Sequence, residues 1–268
     1  MPALSISIVT YCPRPAELTA TLGTLGHALQ VLQDAGEVVT HLQLIDHSPE
    51  ALTRLPALAS GVSTHYRHDP ANPGFGAGHN RVLAQPAQLG EFHLVLNPDV
   101  ELAPDALSVA LAFMRAHPDC VLLSPAARYA DGSPQWLCKR YPSVLDLALR
   151  GFAPPWLKQR FARRLARYEM QDIADGDTHW DPPIVSGCFM LLRSSVFRQL
   201  GGFDEHFFLY FEDFDLSLRA ARYGRLAHVP AVRIVHHGGH AARKGGRHIL
   251  MFARSGLRFF RLHGWRLW

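Results

Sequence analysis

Gly201–Arg219, GGFDEHFFLYFEDFDLSLR, sets Asp204, Glu205, Glu212, Asp213 and Asp215 among five phenylalanines and Tyr210. Carboxylates in apolar surroundings are costly to bury unless they are paired, hold a cation or move a proton. The adjacent pair Glu212 and Asp213 is the sharpest candidate for proton transfer. Two carboxylates so close raise one pKa, and the flanking Phe208, Phe211 and Phe214 add desolvation. The same residues also suit the start of an amphipathic helix, with acidic groups at its positive end.

A further carboxylate stands at a predicted strand end. The apolar run His93–Leu96 leads into Asn97, Pro98 and Asp99, with Glu101 two residues on. An Asp so placed beside a cavity can hold Mg²⁺ or Mn²⁺ through oxygen while the cation binds diphosphate. Asn-Pro and Pro-Asp are also ordinary turn dipeptides. His236 and His237 close the run VRIV just before Gly238, and an imidazole there can complete a metal shell or simply sit at a turn. The loop Asn72–Asn80, NPGFGAGHN, carries glycine at alternate positions. Glycine permits close backbone approach, so this loop fits either a phosphate or ribose contact or a tight strand-to-helix turn. It lacks the Gly-Lys-Ser/Thr ending of a P-loop.

These residues need a scaffold that brings them together. The first hundred residues alternate β-like and helical runs: Leu4–Thr10 then Ala16–Leu32, Val38–Asp46 then Glu50–Leu58, Val62–Arg67 then Gly76–Leu83, and Phe92–Asn97 then Pro104–His117. Such alternation predicts an α/β fold with a mostly parallel central sheet flanked by helices. Ligands of open α/β sheets gather beyond the carboxyl ends of strands, where Thr10, Asp46, the loop after Arg67 and Asn97–Asp99 all fall. Further on, Ile184–Leu192 reads as a buried strand, Glu212–Tyr223 as a helix, Leu226–His236 as a strand and Gly246–His263 as a closing helix. Lys139–Tyr168, basic and interrupted by Pro142, Pro154 and Pro155, reads as a mobile or partner-facing insertion or as a solvated basic face.

At 268 residues and 48% hydrophobic content, the chain can bury one sizeable core. Net charge is only +4. The basic residues nevertheless cluster: His240–Trp268 holds Arg243, Lys244, Arg247, Arg254, Arg258, Arg261 and Arg266 with no Asp or Glu, interleaved with Phe252, Phe259, Phe260, Trp265 and Trp268. That composition suits the interface of an anionic membrane, or a helix whose aromatics pack inward while its arginines reach water. Nucleic acid is not expected, because no recognised module is visible and the carboxylate-rich centre repels phosphate. Cys12, Cys120, Cys138 and Cys188 form no C-x-x-C pair, which predicts free thiols and a cytosolic setting. Neither a signal peptide nor a membrane-spanning run is evident.

Six segments in this order resemble family 2 glycosyltransferases of the GT-A fold, in the branch that includes bacterial rhamnosyltransferases of lipopolysaccharide and cell-wall polysaccharide synthesis. They are SIVTY at Ser7–Tyr11, LIDHS at Leu44–Ser48, NPGFGAGHN, LNPDVEL at Leu96–Leu102, the long segment Ser186–Arg219, and VHHGG at Val235–Gly239. Cys12 stands where an Asn is usual, and His47-Ser48-Pro49 replaces Asn-Gly-Ser. The resemblance implies a single GT-A domain over residues 1–268: a nucleotide-sugar half to 123, an acceptor half from 124 to 239, and a basic aromatic helix from 240.

It also implies inverting transfer of a sugar, with L-rhamnose from dTDP-rhamnose as the best match, to a saccharide or lipid-linked acceptor. The donor is dTDP- or UDP-linked. By this resemblance Asp213 is the catalytic base beside Glu212, Asp99 holds the metal with His236 as a further ligand, and Asp46 reads the base or ribose. Thr10, Asn72, Gly76, Asn80 and Asn97 line the donor side. Trp136, Lys139 and Arg140 are candidate contacts for an acceptor carrying phosphate, and Arg219 is expected to pair with a nearby Asp. The implied location is cytoplasmic, at the inner face of the membrane. Alternative readings are a nucleotide-sugar-binding protein without turnover or another nucleotide-using transferase.

Overall fold

The computed structural model describes residues 3–53, 62–173, 176–238 and 246–268. Among them, ten strands form one mixed sheet. Strands β1 (Leu4–Thr10), β2 (Val39–Asp46), β3 (Ser63–His68) and β4 (Phe92–Leu96) run parallel in the order β3-β2-β1-β4. Every residue of β1 is buried, as a central strand covered on both faces requires. The sheet continues through β5 (Val100–Leu102), β6 (Cys120–Arg128), β7 (Pro134–Gln135), β9 (His179–Trp180), β11 (Phe189–Arg193) and β12 (Arg225–His236). A separate small pair joins β8 (Cys138–Lys139) to β10 (Ile184–Val185).

Helix α1 (Pro15–Asp34) starts on a proline at its first turn, where the missing N–H has no intrahelical partner to lose. Its stripe of Leu18, Leu22, Leu25, Leu29 and Leu32 is fully buried, each side chain contributing about 1.5–3 kcal/mol. Helix α3 (Ala106–Ala116) packs beside it with Leu107, Leu111 and Met114. Between them in sequence comes α2 (Phe75–Asn80), packed against β1 and followed by a tight turn at Arg81–Ala84. The opposite sheet face is covered by α7 (Ser194–Gln199) and α8 (Glu212–Ala220), through Val196, Phe197, Leu216 and Ala220.

The expected alternation holds, with three differences. Residues 51–53 are not helical, and 54–58 of the predicted helix lie outside the described residues. The run Ile184–Leu192 is two strands of different sheets: β10 pairs with β8, Gly187 passes beside Asp213, and β11 then joins the main sheet. Lys139–Tyr168 is folded rather than irregular: it holds α4 (Val144–Phe152), α5 (Pro155–Arg160) and α6 (Ala162–Tyr168). There the prolines start helices instead of breaking them. Ser143 caps α4 in a reciprocal box with Asp146, which Arg164 closes at 2.6 Å.

The closing helix α9 (Gly246–His263) matches its predicted span. Its inward face completes a third core of Leu147, Tyr168, Ile184, Phe207, Phe211, Phe259 and Phe260. The tail then returns along α4, where Val144 and Leu145 donate their N–H groups to the carbonyls of Arg266 and Leu267. No helix among the described residues is long and apolar enough to cross a membrane.

Candidate active site

Three register relations bring distant motifs to one cavity of about 650 Å³. Pairing of β12 with β5 sets His236 opposite Val100 and thus beside Asp99. Pairing of β11 with β4 sets Cys188 beside Asn97. Pairing of β10 with β8 sets Ile184 opposite Lys139. The cavity lining includes Asn97, Asp99, Trp136, Glu212, Asp213 and His236.

The acidic pair opens α8. Tyr210 and Phe211 directly before it both take left-handed backbone, φ 70° and 67°, a strained conformation for aromatic residues. Packing enforces it, since the Phe211 ring meets Phe214, Phe252 and Phe259, and Gly256 leaves the room it needs. The result aims the first turn of α8 into the cavity. Asp213 Oδ2 accepts the Gly187 N–H at 2.9 Å, and its Oδ1 accepts the Phe214 N–H at 2.9 Å. Glu212 is 5% exposed, and its Oε2 has no hydrogen-bond partner among the described residues. Burial raises the pKa of both, with the Asp213 charge adding to the rise at Glu212, while the N–H bonds restrain the rise at Asp213. Two buried carboxylates so close resist ionising together, so the pair holds a proton more readily than either would alone.

The other acids of the Gly201–Arg219 stretch are anchors. Asp204 binds Arg258 at 2.7 Å, and Asp215 binds Arg219 at 2.7 Å and His263 at 2.9 Å. Arg219 also donates to the carbonyls of Leu200 and Gly202, so it pairs with an Asp as expected. Among the aromatics, Phe203, Phe207 and Phe211 are core, while Tyr210 and Phe214 line the cavity.

Asp99 and His236 face each other with Oδ1 and Nε2 3.4 Å apart. Gln135 Oε1 fixes the far nitrogen, Nδ1, at 2.9 Å, as an outer-shell residue does for a ligating imidazole. Burial opposes charge on His236, but Cys188 and Asp99 hold its pKa up at about 10. Neighbouring ligand atoms around a six-coordinate cation stand roughly 3 Å apart, so this pair fits two corners of such a shell. Among the described residues no group of three His, Cys, Asp or Glu side chains completes one. A cation held by this pair would draw its remaining ligands from elsewhere, and diphosphate oxygens suit a hard cation.

The N-terminal strand ends border a neighbouring cavity of about 310 Å³, lined by Thr10, Tyr11, His47, Asn72, Gly74, Phe208 and His248 among others. Asp46 pairs with Thr10 in register but lies outside this lining, fully buried. Its carboxylate accepts from the Ser48 and Leu52 N–H groups and from the Tyr66 hydroxyl. Burial pushes its pKa up, and these bonds more than reverse that. The two departures from the family pattern touch: the Cys12 N–H, in left-handed backbone, donates to Ser48 Oγ at 2.8 Å.

The glycine loop approaches protein rather than open space. A Cβ at Gly74 would strike the Phe208 carbonyl at 2.4 Å, at Gly76 Phe203 at 2.6 Å, and at Gly78 Val9 at 2.6 Å. Asn80 clamps the Phe203 backbone at both its N–H and its carbonyl and reaches Glu205. Gly76 and Asn80 therefore line neither cavity. Asn72 does, with φ 44°.

Arg140 is the clearest correction. Its guanidinium forks onto both Asp172 oxygens at 2.8 Å, outside the cavity lining. The cations that line the cavity are Lys139 and Arg150. Lys139 Nζ donates to the Trp136 carbonyl at 2.5 Å, and Arg150 Nε donates to Glu169 at 2.8 Å. Burial lowers the Lys139 pKa to about 8. Lys139 stands with Trp136 and Arg140 in the sequence reading of an acceptor-phosphate region, whereas Gly187, Gln135, Arg150 and Glu169 carry no such signal.

No family model matches the chain. It is 28% identical over 275 residues to N-acetylglucosaminyl-diphospho-decaprenol L-rhamnosyltransferase of Mycobacterium tuberculosis, covering 98% of this chain and 86% of that protein. It is 29% identical over 180 residues to rhamnosyltransferase WbbL of Escherichia coli, 63% of each. Among solved structures, GalNAc-T7 with UDP, GalNAc and Mn²⁺ superposes with a TM-score of 0.61 at 16% identity, over 87% of this chain and 43% of that one. The Pyrobaculum calidifontis mannosyltransferase with GDP-Man and Mn²⁺ superposes with a TM-score of 0.53 at 15% identity, over 96% of this chain and 64% of that one. The fold is thus that of GT-A glycosyltransferases. Within that class the chain is rhamnosyltransferase-like, as its motifs indicate.

Proposed function

We propose that this chain is an inverting glycosyltransferase that moves a hexosyl group, L-rhamnose from dTDP-rhamnose, to a hydroxyl of a lipid-linked saccharide in cell-surface polysaccharide synthesis. The observation that carries the reading is the geometry of Asp213, a carboxylate held by two backbone N–H groups in the same cavity as the Asp99–His236 pair. The rhamnosyl donor and the lipid-linked acceptor are carried over from the relatives.

In the proposed reaction the acceptor oxygen attacks the anomeric carbon on the face opposite the diphosphate. The new C–O bond forms as the bond to the diphosphate oxygen breaks, and the diphosphate leaves with that electron pair. Asp213 takes the hydroxyl proton, which makes the oxygen nucleophilic as it attacks. Glu212, protonated beside it, keeps the pair at a single negative charge. Asp99 and His236 would hold Mg²⁺ or Mn²⁺, which would neutralise charge on the departing diphosphate. Thr10, His47 and Asn72 border the nucleoside, and Asp46 shapes that border by anchoring residues 48–52 rather than by direct contact. Trp136 remains on the acceptor side, Arg140 does not, and the two halves divide near residue 123.

The outward face of α9 supports a peripheral membrane position on the cytoplasmic side. Leu250, Leu257 and Leu262 are exposed among Arg254 and Arg261, and Trp268 is 78% exposed beyond them. That mixture suits an anionic interface. The test of the function is incubation with dTDP-rhamnose, UDP-linked sugars and a lipid-diphosphate saccharide, reading product by mass and anomeric configuration by NMR. Product of inverted configuration is expected. Retained configuration, or no product with any donor, overturns the reading.

A further inference from the structure

We propose that Lys139 and Arg150, on the wall of the catalytic cavity, bind a phosphate group of the acceptor next to the hydroxyl that reacts. This rests on the glycosyl-transfer reading and names the part of the acceptor that the cavity recognises. Both cations reach the cavity from elements outside the four parallel N-terminal strands. Lys139 ends β8, which pairs with β10, and β10 leads directly into Gly187 and its hydrogen bond to Asp213. Arg150 lies in the last turn of α4. The donor diphosphate is placed at Asp99 and His236, on β12 and the loop between β4 and β5.

Among the described residues the two cations share one nearby carboxylate, Glu169, and Asp213 lines the same cavity. Glu169 serves both cations: it holds Arg150 Nε at 2.8 Å but stands 3.9 Å from Lys139 Nζ, and Gln171 binds its other oxygen at 2.9 Å. Lys139 is 8% exposed, and with Glu169 at that distance its ammonium makes no close ion pair among the described residues. A phosphate supplies one. Arg150, with only Nε directed to Glu169 and its side chain 47% exposed, keeps part of its planar fork towards the cavity. A guanidinium fork beside an ammonium point charge is a recurrent phosphate-binding pair.

An acceptor phosphate fits better than free phosphate because of what adjoins it. Trp136, whose carbonyl binds Lys139, lines both the catalytic cavity and a second one of about 320 Å³. The latter is walled by apolar groups including Ala126, Ala127, Met170, Ile173 and Ile234. A sugar joined through phosphate to an apolar chain would meet the base, the cations and this apolar wall in that order.

The experiment is calorimetric titration of the full-length protein, saturated with dTDP and Mg²⁺, using two probes. One is N-acetylglucosaminyl-diphospho-farnesol; the other is the neutral glycoside octyl N-acetylglucosaminide. Arg150→Gln, at an exposed position, is expected to weaken binding of the first about tenfold while changing the second less than about twofold. Lys139→Met is expected to do the same, with thermal unfolding confirming that it folds; Arg150→Gln decides the matter if it does not. Equal loss for both probes, no loss for either, or weakened dTDP binding in the variants overturns the assignment, the last because the cations would then serve the donor. Wild-type protein that binds the first probe in this way yet transfers sugar from no donor would sink the transfer reading and leave the phosphate site standing.

Discussion

Gly187 donates its backbone N–H to Asp213 Oδ2 at 2.9 Å, and a Cβ on Gly187 would stand only 3.2 Å from Asp213 Cβ. The break between β10 and β11 therefore does two things: it supplies a donor to the carboxylate and leaves space for it. Gly187→Ala should displace the carboxylate by a few tenths of an ångström. The expected result is a fall in kcat on the order of tenfold, with donor KM and melting temperature little changed. Steady-state kinetics with thermal denaturation checks this.

Gly238 plays the matching part at the other end of the cavity. A Cβ there would lie 2.5 Å from Asp99 Oδ2 and 2.7 Å from His236 Nε2, so Gly238→Ala must splay the two side chains. Metal-stimulated nucleotide binding is expected to weaken roughly 10–100-fold, the range seen when support around metal ligands is lost. Titration of dTDP with and without Mn²⁺ measures it. Unchanged stimulation would remove Asp99 and His236 from the metal role.

Glu212 should cost stability at neutral pH. Its folded pKa is raised by burial and by Asp213, so its contribution favours folding below the ordinary carboxylate value of 4.5 and is lost as pH rises through the folded value. The charged groups facing the pair are Lys139 on β8 and Arg150 on α4, with the Tyr210 phenol nearby. Glu212→Gln is therefore expected to melt higher than wild type at about pH 8, with the gain shrinking towards pH 4.5. A gain independent of pH would show that the carboxylate is not the cause.

Much of this site was legible in the chain because strand ends and acidic motifs carry their chemistry in order. Asp99 and His236 lie in separate motifs, yet strand pairing brings them together. Arg140 and Lys139 show where such reading stops. They are adjacent cations, and which one faces the cavity is decided by tertiary partners: Lys139 lies in β8, paired with β10, while Asp172 holds Arg140. Arg150 lies in a helix and Glu169 directly follows one, in a stretch that the prolines disguise as irregular chain. The glycine loop leaves a phosphate contact and a tight turn both open in the sequence, and its close partners, Phe203, Phe208 and Val9, are ones that only tertiary packing supplies. Equally, the tail divides: Phe259 and Phe260 are buried, whereas Leu250, Trp265 and Trp268 face outward.

That division makes the membrane proposal testable without harming the core. Cutting the chain after Gly256 would remove Phe259 and Phe260 from the third core cluster. Leu250→Glu with Arg254→Glu alters exposed positions and should leave the fold intact. Wild-type protein is expected to sediment with anionic liposomes at low salt and the double variant to stay in solution. Wild-type protein that does not sediment contradicts the membrane position.

The base assignment is tested most directly by Asp213→Asn, which keeps the shape of the side chain and removes its charge. Sugar transfer by this variant is predicted to fall roughly 10²–10⁴-fold, while calorimetry shows dTDP binding unchanged. Transfer within a few-fold of wild type, with nucleotide binding intact, would contradict the account.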